Sequence, residues 1–256
     1  MKNKTVANEA YKSISRKAAN FKTARTTMEE VALDIFNAGP GSLTIVAGNN
    51  PALEVSMLAK IADDTADKGY TVAYINFMDD ATDVFNTIVC RRSMVKRDHV
   101  YQGGLNADEW KRISNEAKHI HSSDYDIEYF RTDVKGTDDI FEFVESLGGV
   151  HTIVIDNMWM LAEPGENWGI RCELEAKRLA VKHDAAVILG TNSFYNDADN
   201  SFANKFLRLT YGIQCKDGGN TQIVLVDRTS IDYKVNADVE YLPEYHRWKG
   251  EVADRE

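Results

Sequence analysis

The sequence predicts an α/β protein, with a mostly parallel sheet flanked by helices and an antiparallel C-terminal edge. Three observations carry that prediction. Short apolar, β-branched runs alternate with helical patterns from Leu43 to Gly190. Polar turns join them, the sharpest being Gly48-Asn49-Asn50-Pro51 between the first strand and the helix that follows. Late in the chain, the runs 207–214 and 221–227 flank Asp217-Gly218-Gly219-Asn220, a hairpin signature.

The elements follow in order. Residues 7–24 place Tyr11, Ile14, Ala18 and Phe21 on one helical face. A second helix starts at Thr27, with Glu30 in capping-box position, and stops before Gly39-Pro40-Gly41. The strand Leu43, Ile45, Val46, Ala47 leads through the polar turn into a helix over 52–67. A buried strand over 71–77 precedes a helix over 80–94. Residues 105–121 form another helix, with Asn106 as N-cap and Glu109 three residues on. The strand 126–131 puts Ile127, Tyr129 and Arg131 on one face and Glu128 and Phe130 on the other. Thr137 then caps a helix through Ser146, and the apolar run 151–156 ends in Asp156, where such strands present ligands. A helix over 169–183, a strand over 185–190 and a polar segment over 191–204 lead into the hairpin.

The chain has 256 residues, 43% of them hydrophobic, which is ample for one large α/β domain plus an extension. No run approaches the ~20 apolar residues that cross a bilayer. The polar, Lys-bearing N-terminus lacks a signal-peptide apolar region, so a soluble, cytoplasmic protein is expected. Cys90, Cys172 and Cys215 are widely spaced with no C-x-x-C, which fits buried thiols in a reducing compartment. The net charge of -10 is uneven. Residues 1–25 hold Lys2, Lys4, Lys12, Arg16, Lys17, Lys22 and Arg25 against Glu9 alone, a balance of +6 that leaves -16 for the rest. The acidic body is a poor general DNA binder, because phosphate affinity comes from clustered Lys and Arg. The basic arm suits nucleic acid or an acidic protein surface equally, or a solvated tail.

The strand-turn-helix at 43–60 has the outline of a phosphate-binding loop of the form GxxxxGK[ST]. Gly48 supplies the first glycine, but the second falls on Leu53, the lysine on Glu54 and the hydroxyl residue on Val55. Each exchange removes a function: close backbone approach to phosphate, neutralisation of the outer phosphates, and a magnesium ligand. One charge pair at about 4 Å and an effective dielectric near 20 is worth about 4 kcal/mol, so an ionised carboxylate in the lysine position would cost about twice that. A β-turn-α unit with no nucleotide history fits these residues as well.

The order of elements resembles the motor domain of DnaB-family replicative helicases, and three stretches match beyond topology. GPGSLTIVAGNNP (39–51) is similar to the entry into the family's phosphate loop and HTIVIDNMWML (151–161) to its Walker B strand. LNADEWKRIS resembles a family helix start through Leu105, Asp108, Glu109 and Trp110. The resemblance covers roughly 27–229 and implies a RecA-like fold, dividing the chain into a basic helical arm (1–25) and a RecA-like domain (26–256). It places the family's catalytic Glu at Met78, and a thioether cannot act as that base. The Walker B Asp is kept as Asp156, and the Gln sensor falls near Thr191. The late Lys-x-Arg aligns with Val226, Asp227 and Arg228, losing the Lys and keeping the Arg. Asp197 and Asp199 stand where the family has basic DNA-facing loops.

Other constellations read more weakly. His119, His121, Asp124 and Asp126 lack the spacing of a metal site, and no metal is expected. Asp79 and Asp80 suit a helix N-terminus, or a displaced acidic pair. The aromatic end with Tyr241, Tyr245, His246, Arg247 and Trp248 suits burial against the sheet edge, or stacking on bases. Together these readings imply a non-catalytic, helicase-derived replication accessory protein that needs no cofactor. Its expected partner is a replicative helicase, another replisome protein or a second copy, met through Lys12, Arg16, Lys17 and Lys22 of the arm. The alternatives are a divergent ATPase or helicase using Asp156, Asp79, ATP and magnesium, and a nucleic-acid-binding module.

Overall fold

A computed structural model describes residues 40–48, 51–77, 81–130, 136–157, 168–191, 209–215, 220–227 and 233–248. The arm, the helix expected after Thr27, Met78, Asp79, Asp80, the segment 192–204 and Arg228 lie outside the described residues. The chain runs β1 (Leu43–Gly48), α1 (Pro51–Ala66), β2 (Val72–Asn76), α2 (Ala81–Ser93), α3 (Arg97–Gln102), α4 (Ala107–Ser122) and β3 (Ile127–Phe130). It continues through α5 (Thr137–Ser146), β4 (Thr152–Asp156), α6 (Trp168–His183), β5 (Ala186–Thr191), β6 (Leu209–Cys215), β7 (Asn220–Asp227), β8 (Tyr233–Leu242), a 3-10 turn (Pro243–Tyr245) and β9 (Arg247–Trp248).

The strand order is β3-β2-β4-β5-β1-β6-β7-β8-β9. Pairing is parallel from β3 through β6 and antiparallel from β6 to β9. The predicted fold class is therefore the observed one. The sheet exceeds the predicted hairpin, because β8 and β9 extend its antiparallel edge. The alternation Tyr233, Val235, Ala237, Val239, Tyr241 carries the period-two signal for β8.

Strand alternation feeds two cores, one on each face of the sheet. Val72 and Tyr74 of β2 join Leu53, Met57, Leu58 and Ile61 of α1 and Ile88 of α2 in one cluster. Ala73 and Ile75 join Ile140 and Val144 of α5 and Leu179 and Ala180 of α6 in the other. Each of the Val, Leu, Ile and Met side chains contributes about 1.5–3 kcal/mol by leaving water. The four α1 residues alone pin that helix, and with it the turn before it, to the sheet. The faces of β3 divide as the sequence implies, Ile127 and Tyr129 packing toward α1 and Phe130 toward α5.

Helix α4 begins as its sequence dictates. Asn106 Oδ1 accepts the Glu109 N–H at 3.0 Å, while Glu109 Oε2 accepts the Asn106 N–H at 3.0 Å. Helix α5 begins differently from expectation: Gly136 is the N-cap, and its N–H donates to Asp139 Oδ2 at 3.0 Å, leaving Thr137 as the first helical residue. The short α3 has no counterpart among the predicted elements, since six residues cannot show a helical period. A buried ion network ties α1 to α2. Asp63 accepts from Arg91, from Arg92 Nε at 2.6 Å and from the Tyr125 hydroxyl at 3.0 Å.

The C-terminal residues return to α1. Strand β9 pairs with β8 through Tyr241–Trp248 and Leu242–Arg247, and Trp248 is 0% exposed within the α1-side core. Tyr241 Oη lies 2.5 Å from Ser56 Oγ, which is 3.0 Å from His246 Nδ1. Burial against the sheet is thus the observed fate of Trp248, and its ring is closed to base stacking. Cys90 and Cys172 are buried free thiols, as expected; burial raises the Cys90 pKa to about 11.

Candidate functional site: the first turn of α1 and the end of β4

The parallel strands bring the ends of β1, β2, β4 and β5 to one edge. Gly48 closes β1, and Pro51 opens α1 with a φ already suited to a helix. Asn49 and Asn50 between them lie outside the described residues. Leu53 is wholly buried in the core, so the position of a close-approach glycine serves packing instead. Val55, half-buried, presents two methyl groups where a hydroxyl would hold magnesium.

Glu54 turns inward. Its side chain is 1% exposed, and neither carboxylate oxygen has a hydrogen-bond partner among the described residues. It reaches the backbone of β5 at Gly190, where an added Cβ would stand 2.6 Å from Glu54 Oε1, 2.6 Å from Leu58 Cδ1 and 3.4 Å from Asp156 Oδ1. Gly190 pairs with Val46 of β1, so the carboxyl is tucked over the central strands. Desolvation, and then the charge of Asp156, push the Glu54 pKa from 4.5 to about 9. At neutral pH it is an uncharged acid. The expected repulsion of phosphate is therefore replaced by a milder deficit: the lysine's attraction is missing and nothing opposes in its place.

Asp156 is wholly buried at the end of β4, level with Asn76 of β2. The next residue, Asn157, is left-handed at φ 58°, a conformation that Asn tolerates. Among the predicted site residues, the structure joins Gly48, Leu53, Glu54, Val55 and Asp156 at one edge. Met78, Asp79, Arg228 and the arm's Lys12, Arg16, Lys17 and Lys22 fall outside the described residues. Gly190 and Asn76 stand beside these residues without belonging to the loop motif. A glycine inside a strand was the available signal for Gly190, because it marks close approach of another group. Asp126 accepts from the Thr71 hydroxyl at 2.8 Å, and no group of three or more metal-binding side chains occurs among the described residues.

This sheet order, with a β-turn-α unit at its centre and an acidic residue closing β4, one strand removed from β1, is that of a RecA-like fold. More narrowly, it is the fold of DnaB-like helicase ATPase domains. The structure is similar to the ATPase domain of G40P, with a TM-score of 0.76 and 11% identity over 96% of this chain and 98% of that one. It is similar to a DnaB-like replicative helicase described with its interactions with primase, at TM-score 0.74 and 11% identity over 97% of this chain and 66% of that one. A KaiC-like protein, PH0186 from Pyrococcus horikoshii OT3, follows at TM-score 0.55 and 12% identity over 80% and 88%. No protein-family model and no curated protein matches the sequence.

The residues present do not fit a magnesium nucleotide. The lysine position holds a buried neutral acid, the hydroxyl position a valine and the second glycine a core leucine. The inward turn of Glu54 depends on the missing side chain at Gly190. Gly190→Ala is expected to cost about 1–3 kcal/mol, since two buried side chains must move. Urea denaturation measures it, and Glu54→Ala in the same chain should return part of the loss.

Proposed function

We propose that the chain is a non-catalytic relative of helicase motor domains that acts as a replication accessory protein, binding a replicative helicase, another replisome protein or a second copy of itself. The observation that carries this reading is Glu54: the residue in the lysine position is withdrawn into the core beneath Gly190 while the strands and helix faces around it remain packed. A fold that has lost its nucleotide chemistry and kept its core is being kept for its surfaces. The description of one structural neighbour with primase supports a partner of the replication machinery. The basic arm, with Lys12, Arg16, Lys17 and Lys22, is the partner-binding element in this reading.

Calorimetric titration with ATP and magnesium tests the loss of the nucleotide site. The native chain gives no binding heat, and the Leu53→Gly, Glu54→Lys, Val55→Thr variant gains binding in the micromolar to millimolar range. Micromolar binding by the native chain overturns the reading and favours the divergent ATPase, whose turnover would then be abolished by Asp156→Ala. A pull-down, from cells that naturally express the chain, that enriches no helicase, primase or other replication protein removes the accessory role.

A further inference from the structure

A concavity lies between α1, α2 and α3. It has a volume of about 300 Å³ and is walled by Ala52 and Val55 of α1, Asp83 and Val84 of α2, and Arg97 and Tyr101 of α3. Neither Glu54 nor Asp156 lines it. Its size is at the lower end of small-molecule pockets. The α1 and α2 walls supply an apolar floor through Ala52, Val55 and Val84. His246 closes one side, its ring fixed by Ser56 at 3.0 Å.

The charges are arranged unequally. Arg97 lies over the Tyr101 ring, 5.0 Å from its centroid, and makes no ion pair with a carboxylate among the described residues. A guanidinium can present two parallel N–H groups to one carboxylate. Asp83 is already engaged: it accepts from the Tyr101 hydroxyl at 3.1 Å. Its negative charge on the same wall admits one anionic group beside Arg97 and opposes a second.

We propose that this cavity binds a small organic monoanion, a carboxylate carrying an apolar body, with the carboxylate on Arg97 and the body on Ala52, Val55 and Val84. The site stands apart from the nucleotide reading: of the phosphate-loop positions only Val55 lines it, and there as an apolar contact. Asp83 makes it a poor host for polyphosphates.

Saturation-transfer NMR on the full chain tests this with benzoate as probe, benzamide as its uncharged counterpart and pyrophosphate as competitor. Benzoate is expected to bind at least tenfold more tightly than benzamide, Arg97→Gln to abolish that preference, and pyrophosphate to leave the benzoate signal unchanged. Val55→Trp, which fills the floor, should remove both signals while the far-UV circular dichroism of the folded chain is kept. Equal binding of benzoate and benzamide overturns the proposal, as does an unaltered preference in Arg97→Gln, displacement by pyrophosphate, or no benzoate signal in the native chain. None of these outcomes depends on ATP binding, so the two readings fail separately.

Discussion

Glu54→Gln is expected to stabilise the folded chain, and by an amount that grows with pH. The folded state holds a proton on Glu54 up to about pH 9, whereas the unfolded chain releases it near 4.5. Because the folded pKa is raised, the carboxyl's contribution is fully present below pH 4.5 and is lost as pH rises toward 9. Each unit in that window costs about 1.4 kcal/mol. At pH 7 the penalty is therefore about 3 kcal/mol, removed when an amide of the same shape takes the carboxyl's place. Urea denaturation of both proteins between pH 4 and 9 measures it. The curves should meet at the acid end and separate steadily above it. Parallel curves would mean that Glu54 is ionised in the folded chain. Such a penalty in the ground state marks the position as one not selected for stability alone.

Trp248→Ala is expected to be the most damaging single truncation near the C-terminus. The indole is fully buried in the α1-side core and stacks at a tilt on Tyr241, with 4.8 Å between ring centroids. Removing a buried Trp costs about 3–5 kcal/mol. In a domain of this size that lowers the melting temperature by roughly 10 °C. Thermal unfolding reads it directly, and Trp248→Phe should recover more than half the loss. An effect below about 1 kcal/mol would mean that β9 does not complete the core. The consequence reaches the site, because β9, His246 and Tyr241 hold Ser56, two residues beyond Glu54 on α1.

The sheet order is that of the DnaB-like fold, and the first turn of α1, where that fold's phosphate loop would stand, is packed into the core. Leu53 and Glu54 now contribute to packing, and Val55 faces the cavity that Arg97 and Tyr101 rim. The proposed binding role rests on this pairing of a packed fold with a first turn of α1 whose side chains do not suit phosphate.

The sequence by itself determined what depends on neighbours along the chain. Apolar periodicity placed β1, α1, β2, α2, α4, β4, α6 and β5 in order, and the Asn106–Glu109 pair fixed the start of α4 through a bond three residues long. It also determined that Leu53, Glu54 and Val55 cannot do what GKT does, since that follows from side-chain chemistry alone. Tertiary structure decided the rest. The neutral state of Glu54 depends on Gly190 and Asp156, the burial of Trp248 on α1, and the cavity on helices that the chain brings together from separate segments. A carboxylate in a loop motif reads as a charge because its sequence neighbours set no dielectric; only the packing of β4 and β5 over it removes the water that would keep it ionised.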